Sequence, residues 1–523
     1  MGQAVQTRAD LEIIHNSKGV TPTVHSQKIH SSRLLVVGFL LCLWPGFLSG
    51  QTDSPATQAV AVRSVETPPV ASITSQGNVA AAAESVNYCD PGMKRALVLS
   101  GGLKGAFQAG AVYHLIVHRH CDFQEFAGVS VGSLNAVILA QAPRDENPAT
   151  SLNNMTERAE KLVKVWQGIQ SPKQIFKPVW PGWQWAIAAR YGLFGTQSMN
   201  SFDPLMKLIQ TNVDVDALAE RGRAVRVGSV SFWDGTYREV GPTATFPNND
   251  RKYFLKYVYA SALVPVVGKM PSIQQSEQEN DPKRWIQYGD GGILNNTPIF
   301  NYFRKCPSQV SQLQTTDAVP SCLAWLRAGT PPPQQLQQLF VVLTGPFTRS
   351  IDTYPMDSKL LGHGSQQVTD GRKILLRTID MILEADYRDD LTLMLEANEM
   401  LAWRKRYYDA AAAGLAPEQR QDFEQKFAEI NRGFPLNSYN AAPGGDWSLP
   451  YELGMVAPAK VYTEIFDVDP KNIAEQLQYG CLAADRMMQE NFGMTSMKEK
   501  CEASLPLPAA TSAQSNRQPS AKN

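Results

Sequence analysis

Histidine is scarce in this sequence, with seven among 523 residues and a single one, His363, beyond residue 130. Any imidazole chemistry in that long C-terminal part has one residue to draw on. Charge of one sign is lacking as well: 49 Lys and Arg balance 49 Asp and Glu, and no run of basic residues stands out. Nothing provides the positive field that nucleic acid requires. There is no C-x-x-C and no Cys/His cluster at zinc-ligand spacing, so no metal and no cofactor is expected. A bilayer-spanning run of about 20 apolar residues is missing from the N-terminal region, where the apolar run Leu34–Leu48 has 15 residues.

What is there at the N-terminus reads as an export element. Lys28, His30 and Arg33 precede the apolar run, and Ser49 and Gly50 follow it, which matches either a secretory signal or an uncleaved anchor over residues 1–50. Residues 51–87 contain no aromatic side chain and are rich in Ala, Ser, Thr, Val and Gln; they read as a flexible linker, as does a tail over 502–523. The protein is therefore expected outside the cytoplasm, in the periplasm, the envelope or secreted. Six cysteines lie beyond the apolar run. An even number in an exported chain points to disulfides, and the short-range pairs Cys306–Cys322 and Cys481–Cys501 are the expected ones.

The chain as a whole, 43% hydrophobic with ten tryptophans, has the composition of a folded globular protein. "RALVLSGG" from Arg95 predicts a strand running into glycines, and "LKGAFQAGAVYHLIVHRH" a helix with Ala109, Val112, Leu115 and Ile116 on one side. "FQEFAGVS" and "VGSLNAVILAQA" repeat the pattern. Two strand–helix units in succession indicate a parallel sheet with crossover helices. Further strands are expected at "AVRVGSVSF", "TYREVG", "RWIQYG", "QLFVVLTG" and "KVYTEIF", and a helical insertion over 373–432.

Three motifs carry chemistry. Gly128-Val129-Ser130-Val131-Gly132 stands at a predicted strand-to-helix junction, the setting in which a serine hydroxyl is exposed at a helix N-terminus for acyl transfer. Some 30 residues earlier, Ser100-Gly101-Gly102-Leu103-Lys104-Gly105 offers backbone N–H groups to an anion. It lacks the first glycine of the dinucleotide-binding fingerprint, so nucleotide binding is not expected. Downstream, Asp290-Gly291-Gly292 follows a predicted strand. Its aspartate either contacts Ser130 directly as a base, completes a Ser130–Asp290–His363 triad, or is a turn residue. His114, His118 and His120 are expected to face solvent or the packing layer.

In this order, "SGGLKG", "GVSVG" and "DGG" resemble the patatin-like phospholipase family, as do "YVYASALVPVVGKMP" and "IFDVDPKNIAEQLQYG". The resemblance spans roughly Arg95 to Phe492, inside an expected domain over 94–494. It implies a three-layer α/β/α fold with a mainly parallel sheet, and a dyad with Ser130 as nucleophile and Asp290 as base. It further implies an oxyanion hole from Gly101 and Gly102, no metal, and fatty-acyl esters of phospholipids or other lipids as substrates; the Val131 N–H at the helix start is a further oxyanion donor, and Lys104, at the family's basic position, either positions the loop or is a solvated surface lysine. Ser100 departs from the family's usual glycine. A catalytically silent lipid-binding envelope protein is the alternative outside enzymology. "IFKPVWPGWQWAIAARYGLF", 175–194, concentrates aromatic residues; it serves either a membrane interface or acyl-chain pocket, or core packing.

Overall fold

The computed structural model describes residues 89–102, 104–179, 198–242, 252–275, 278–303, 336–347, 371–431, 449–459 and 469–507. The expectations for Leu34–Leu48, the linker, Cys306–Cys322, His363, the strand at "KVYTEIF" and most of the aromatic stretch lie outside these residues.

In chain order the strands are β1 (Arg95–Leu99), β2 (Glu125–Val129), β3 (Lys177–Pro178), β4 (Ser198–Ser201), β5 (Ala224–Ser231), β6 (Tyr237–Val240), β7 (Val266–Gly268), β8 (Ser272–Ile273), β9 (Ile286–Asp290), β10 (Gln338–Val342) and β11 (Glu452–Val456). The helices are α1 (Gly105–Tyr113), continued by a π-helical turn His114–His118, then α2 (Val131–Ala140), α3 (Pro148–Gln167), α4 (Asp203–Asn212), α5 (Val215–Arg221), α6 (Lys252–Ser261), α7 (Phe300–Phe303), α8 (Gly371–Ala412), α9 (Pro417–Asn431), α10 (Pro470–Phe492) and α11 (Lys498–Ser504).

The main sheet runs β11-β10-β1-β2-β5-β9-β8, with β6 beside β5. From β11 to β5 all neighbours are parallel; β9 and β6 are antiparallel to β5, and β8 is antiparallel to β9. β3, β4 and β7 form a separate small sheet. β1 is buried along its whole length, as parallel strands covered on both faces are. Its side chains alternate between two cores. Leu97 and Leu99 join the helix-covered face of α1, α2, α3 and α10, whereas Ala96 and Val98 face Ile299, Tyr302, Leu391 and Met394 of the opposite layer. The result is the expected mixed α/β fold, a mostly parallel sheet between helical layers.

Register fixes where function can sit. Leu99 pairs with Gly128, Val129 with Gly228, and Ser229 with Asp290, so the "SGG" loop, Ser130 and Asp290 all emerge at one edge of the sheet, the carboxyl ends of its parallel strands.

Two features were not anticipated, and one expectation needs correction. The strand at the β10 side of the sheet is supplied by Glu452–Val456, whose "ELGMV" carries too weak a pattern to be singled out. Folded chain extends past residue 502: α11 runs to Ser504 and Leu505 is buried. Cysteine sulphurs lie at disulfide distance in the expected pair Cys481/Cys501, and also in Cys89/Cys121, which no local spacing indicated. Among the described residues no helix is long and apolar enough to cross a membrane.

A buried ionic cluster holds the β2–β5 seam. Arg226 donates to Glu125 Oε1 through Nη2 (2.8 Å) and to Glu239 Oε2 through Nη1 (2.8 Å), beneath the Tyr302 ring. Arg226→Ala leaves two carboxylates without their cation in the dry layer, and a loss of about 3–5 kcal/mol in unfolding free energy is expected in urea denaturation.

Candidate active site

The elbow comes first. Ser130 takes φ 54° and ψ −129°, a left-handed backbone that side-chain-bearing residues rarely adopt. The glycines around it are required by close approach: a Cβ on Gly128 would strike the Gly132 carbonyl, and one on Gly132 would strike the Leu99 and Ser100 carbonyls. Strain of this kind persists only where neighbours over-determine it. Here the Ser130 N–H donates to Ser261 Oγ (2.9 Å), and that hydroxyl donates on to the Gly228 carbonyl (2.6 Å). Ser130 sits at the N-cap of α2, yet its side chain makes no capping bond. The hydroxyl is turned elsewhere.

It donates instead to Asp290 Oδ2 at 2.7 Å, across 160 positions of sequence. The other carboxylate oxygen, Oδ1, accepts the Gly292 N–H at 2.8 Å, and the Asp290 N–H is held by the Leu263 carbonyl at 2.9 Å. Asp290 is fully buried. Burial pushes its carboxyl up to about 7, against the opposing effect of the hydrogen bonds from Ser130 and Gly292. A carboxylate poised there can take a proton near neutrality, which an ordinary aspartate does poorly.

The glycine loop divides its labour. Gly101 N–H already donates to the Asn296 carbonyl (2.9 Å), so this expected oxyanion donor is committed to holding the "DGG" loop. Gly102, at φ 134°, has no backbone partner for its N–H among the described residues and lines the same cleft as Ser130 and Val131. A side chain at Gly102 would collide with Thr344. Ser100 does not disturb the loop. Its hydroxyl accepts the Thr344 N–H (3.1 Å) and donates to the Gly101 carbonyl (3.2 Å), while its own N–H reaches Val342 (3.1 Å). Lys104 is buried at the N-cap of α1, and Gly105 packs against Trp166 and Val131. Gly291 and Gly292 open the 3₁₀ turn after β9.

A polar chain ties loop, nucleophile helix and cleft wall together. Gln108 Nε2 donates to the Ser100 and Val342 carbonyls (2.9 and 3.0 Å), Asn135 Nδ2 to the Gly105 carbonyl and Gln108 Oε1 (3.0 and 3.1 Å), and Trp166 Nε1 to Asn135 Oδ1 (2.9 Å). Beyond Ser130 opens a cleft with about 910 Å³ of empty space, its open mouth included. Its lining is overwhelmingly apolar, with Leu134, Ile138, Trp166, Ile169, Phe202 and Ile209 among the wall residues. Ile175 and Phe176, which begin the aromatic stretch, belong to this wall; the tryptophans that follow lie outside the described residues.

Sequence reasoning singled out Ser130, Asp290 and both glycine motifs, and the fold brings them together. It missed Ser261, Asn296 and Thr344. Ser261 lay within the quoted "YVYASALVPVVGKMP"; the other two have no local signal, because each acts on a loop far away in the chain.

The Asp290 shift has a stability consequence whose sign is fixed. The folded value is raised above the unfolded one near 3.9, so the folded chain holds the extra proton and stability falls as pH rises from about 4 through about 7. Asp290→Asn removes the buried anion. Calorimetry should show its Tm gain over wild type to be greatest near pH 8 and to shrink towards pH 4.

Residues 97–301 match the family model described as patatin-like phospholipase. No curated protein matches the chain. Among solved structures, VipD from Legionella pneumophila is similar at 11% identity, covering 77% of this chain and 68% of that one, with a TM-score of 0.27. The ExoU–SpcU complex of the Pseudomonas aeruginosa type III secretion system is similar at 14% identity, covering 66% of this chain and 59% of that one, with a TM-score of 0.19. The stretch similar to the patatin-like phospholipase family contains Gly102, Ser130 and Asp290 together with the strands that present them.

Proposed function

We propose that the protein is a lipid acyl hydrolase that works through a Ser130–Asp290 dyad. The observation that carries this reading is the 2.7 Å hydrogen bond from Ser130 Oγ to a buried carboxylate, at the mouth of an apolar cleft and inside the stretch that matches the family. A lipid-binding scaffold needs the cleft but not a strained serine donating to a perturbed aspartate.

In this reading an acyl chain occupies the apolar cleft and brings its ester carbonyl to Ser130. Asp290 Oδ2 takes the Oγ proton as Oγ bonds to the carbonyl carbon. Charge developing on the carbonyl oxygen meets the N–H groups of Gly102 and Val131, the latter at the positive end of α2. Collapse of the tetrahedral species breaks the ester C–O bond, and the leaving alcohol takes the proton from Asp290. Water then attacks the acyl-enzyme, giving its proton to the same carboxylate, and as the acyl C–Oγ bond breaks Asp290 returns that proton to Oγ and free fatty acid leaves. The direct Ser130–Asp290 contact leaves no imidazole between the two groups, which favours the dyad over a triad through His363.

Ser130→Ala should abolish fluorophosphonate labelling and lower fatty-acid release from phospholipid micelles by roughly 10³-fold or more, while His363→Ala leaves kcat/KM at the wild-type level. Because the base must be ionised, kcat/KM should rise with pH on an acid limb centred near 7. Labelling at another residue, or loss of activity in His363→Ala, would overturn the dyad.

Gly102→Ala tests the oxyanion assignment. With φ 134° and Thr344 in the way, the loop must shift, and kcat should fall by about 10²–10³ with little change in KM.

A further inference from the structure

At the other end of α1 from the glycine loop, four donor atoms from three chain segments converge. His114 and His118 lie on the π-helical turn, Cys481 on α10 and Cys501 on α11, and all four are buried. His114 Nδ1 stands 3.2 Å from His118 Nδ1, 3.3 Å from Cys501 Sγ and 3.7 Å from Cys481 Sγ; His118 Nδ1 is 3.9 Å from Cys481 Sγ. All four atoms lie within 4.8 Å of one another.

Those spacings are close to the edges of a metal tetrahedron. With metal–N near 2.0–2.1 Å and metal–S near 2.3 Å, tetrahedral angles put N–N at about 3.4 Å, N–S at about 3.6 Å and S–S at about 3.8 Å. The N–N separation and three of the four N–S separations are already near these values, and the fourth, His118 to Cys501, lies within 4.8 Å. The sulphurs depart from them, being at disulfide distance. A disulfide explains why the two cysteines meet, but not why two imidazoles leave water and turn Nδ1 towards the pair. A π-helical turn, uncommon outside functional positions, sets both rings there.

We propose that, when Cys481 and Cys501 are reduced, His114 Nδ1, His118 Nδ1 and the two sulphurs bind one zinc-class divalent cation, and that metal and disulfide are alternative occupants of the same four side chains. Mixed imidazole and thiolate donors select a borderline metal over magnesium or calcium. Four protein ligands leave no open position, so the site is structural. It would fasten α10 and α11 to the helix that follows the glycine loop.

The chemistry balances with a dithiol as reductant. The dithiol passes two electrons to the S–S bond and becomes a cyclic disulfide, giving two thiols whose protons leave as the metal binds. Supporting groups are in place. His118 Nε2 lies 3.2 Å from Ser504 Oγ, so its N–H has an acceptor once Nδ1 ligates. On His114, Arg119 Nε now donates to Nε2 (3.0 Å). Ligation through Nδ1 moves the ring proton to Nε2, facing Asp485 Oδ1 at 3.5 Å, and Arg119 Nε turns away while Nη2 keeps Asp485 and the Thr495 carbonyl.

The test uses the full chain in two states, reduced with dithiothreitol under argon and desalted, or oxidised, each titrated with Co²⁺. The reduced chain should take up one equivalent, with intense visible d–d bands of tetrahedral cobalt and sulphur-to-cobalt charge transfer, and Zn²⁺ should displace it. The oxidised chain should show neither band. His118→Asn should weaken cobalt binding by more than about 100-fold, beyond the 10–100-fold typical of losing an outer-shell partner. If reduced wild type, folded by circular dichroism, gives no tetrahedral spectrum, or if His118→Asn in the same folded state binds as wild type does, the proposal is wrong.

Discussion

The hydrogen bond between Ser130 Oγ and Asp290 Oδ2 organises this molecule. It is short, buried and joins residues 160 positions apart, so it exists only when the sheet has its full register. β2 must lie parallel to β5 for Val129 to meet Gly228, and β9 must lie antiparallel to β5 for Asp290 to meet Ser229. Removing water from the carboxylate raises its proton affinity; the hydroxyl and the Gly292 N–H limit how far. The same desolvation that disfavours the folded anion makes the aspartate readier to take a proton near neutrality. Stability and reactivity pull against each other on one side chain.

Around that bond the fold supplies fixed donors and an apolar wall. Gly102 and Val131 face the cleft, whereas Gly101, equally placed in the motif, has its N–H on Asn296. Two adjacent glycines thus differ in role: one closes the loop onto the "DGG" turn and the other remains turned to the cleft. The Gln108–Asn135–Trp166 chain sets loop, α2 and cleft wall in a common frame, so the apolar wall is tied through buried side chains to the loop beside Ser130.

Much of this was legible in the sequence where the signal is local. Glycines two positions either side of Ser130 are needed because backbone passes within contact there, and Asp290 followed by two glycines marks a turn whose amide returns to its own carboxylate. What could not be read depends on distant partners. Ser261 is one serine among many until β5 brings Gly228 beneath it. His114 and His118 fall on a helix and look like packing or solvent-facing residues; their companions Cys481 and Cys501 arrive more than 360 positions later. "ELGMV" has no periodicity of its own and becomes a strand because β10 offers it a partner.

Ser100, the one departure from the family's glycine pattern, carries a consequence for where the working unit ends. Its hydroxyl and N–H engage Thr344 and Val342, and Gln108 reaches Val342 as well, all beyond residue 301 where the family match stops. A fragment ending at that boundary would keep Ser130 and Asp290 yet strip β10 from the flank of β1, exposing an unpaired edge in the middle of the sheet and unfastening the glycine loop. The recognisable motif and the smallest chain able to hold it in shape are different lengths of polypeptide.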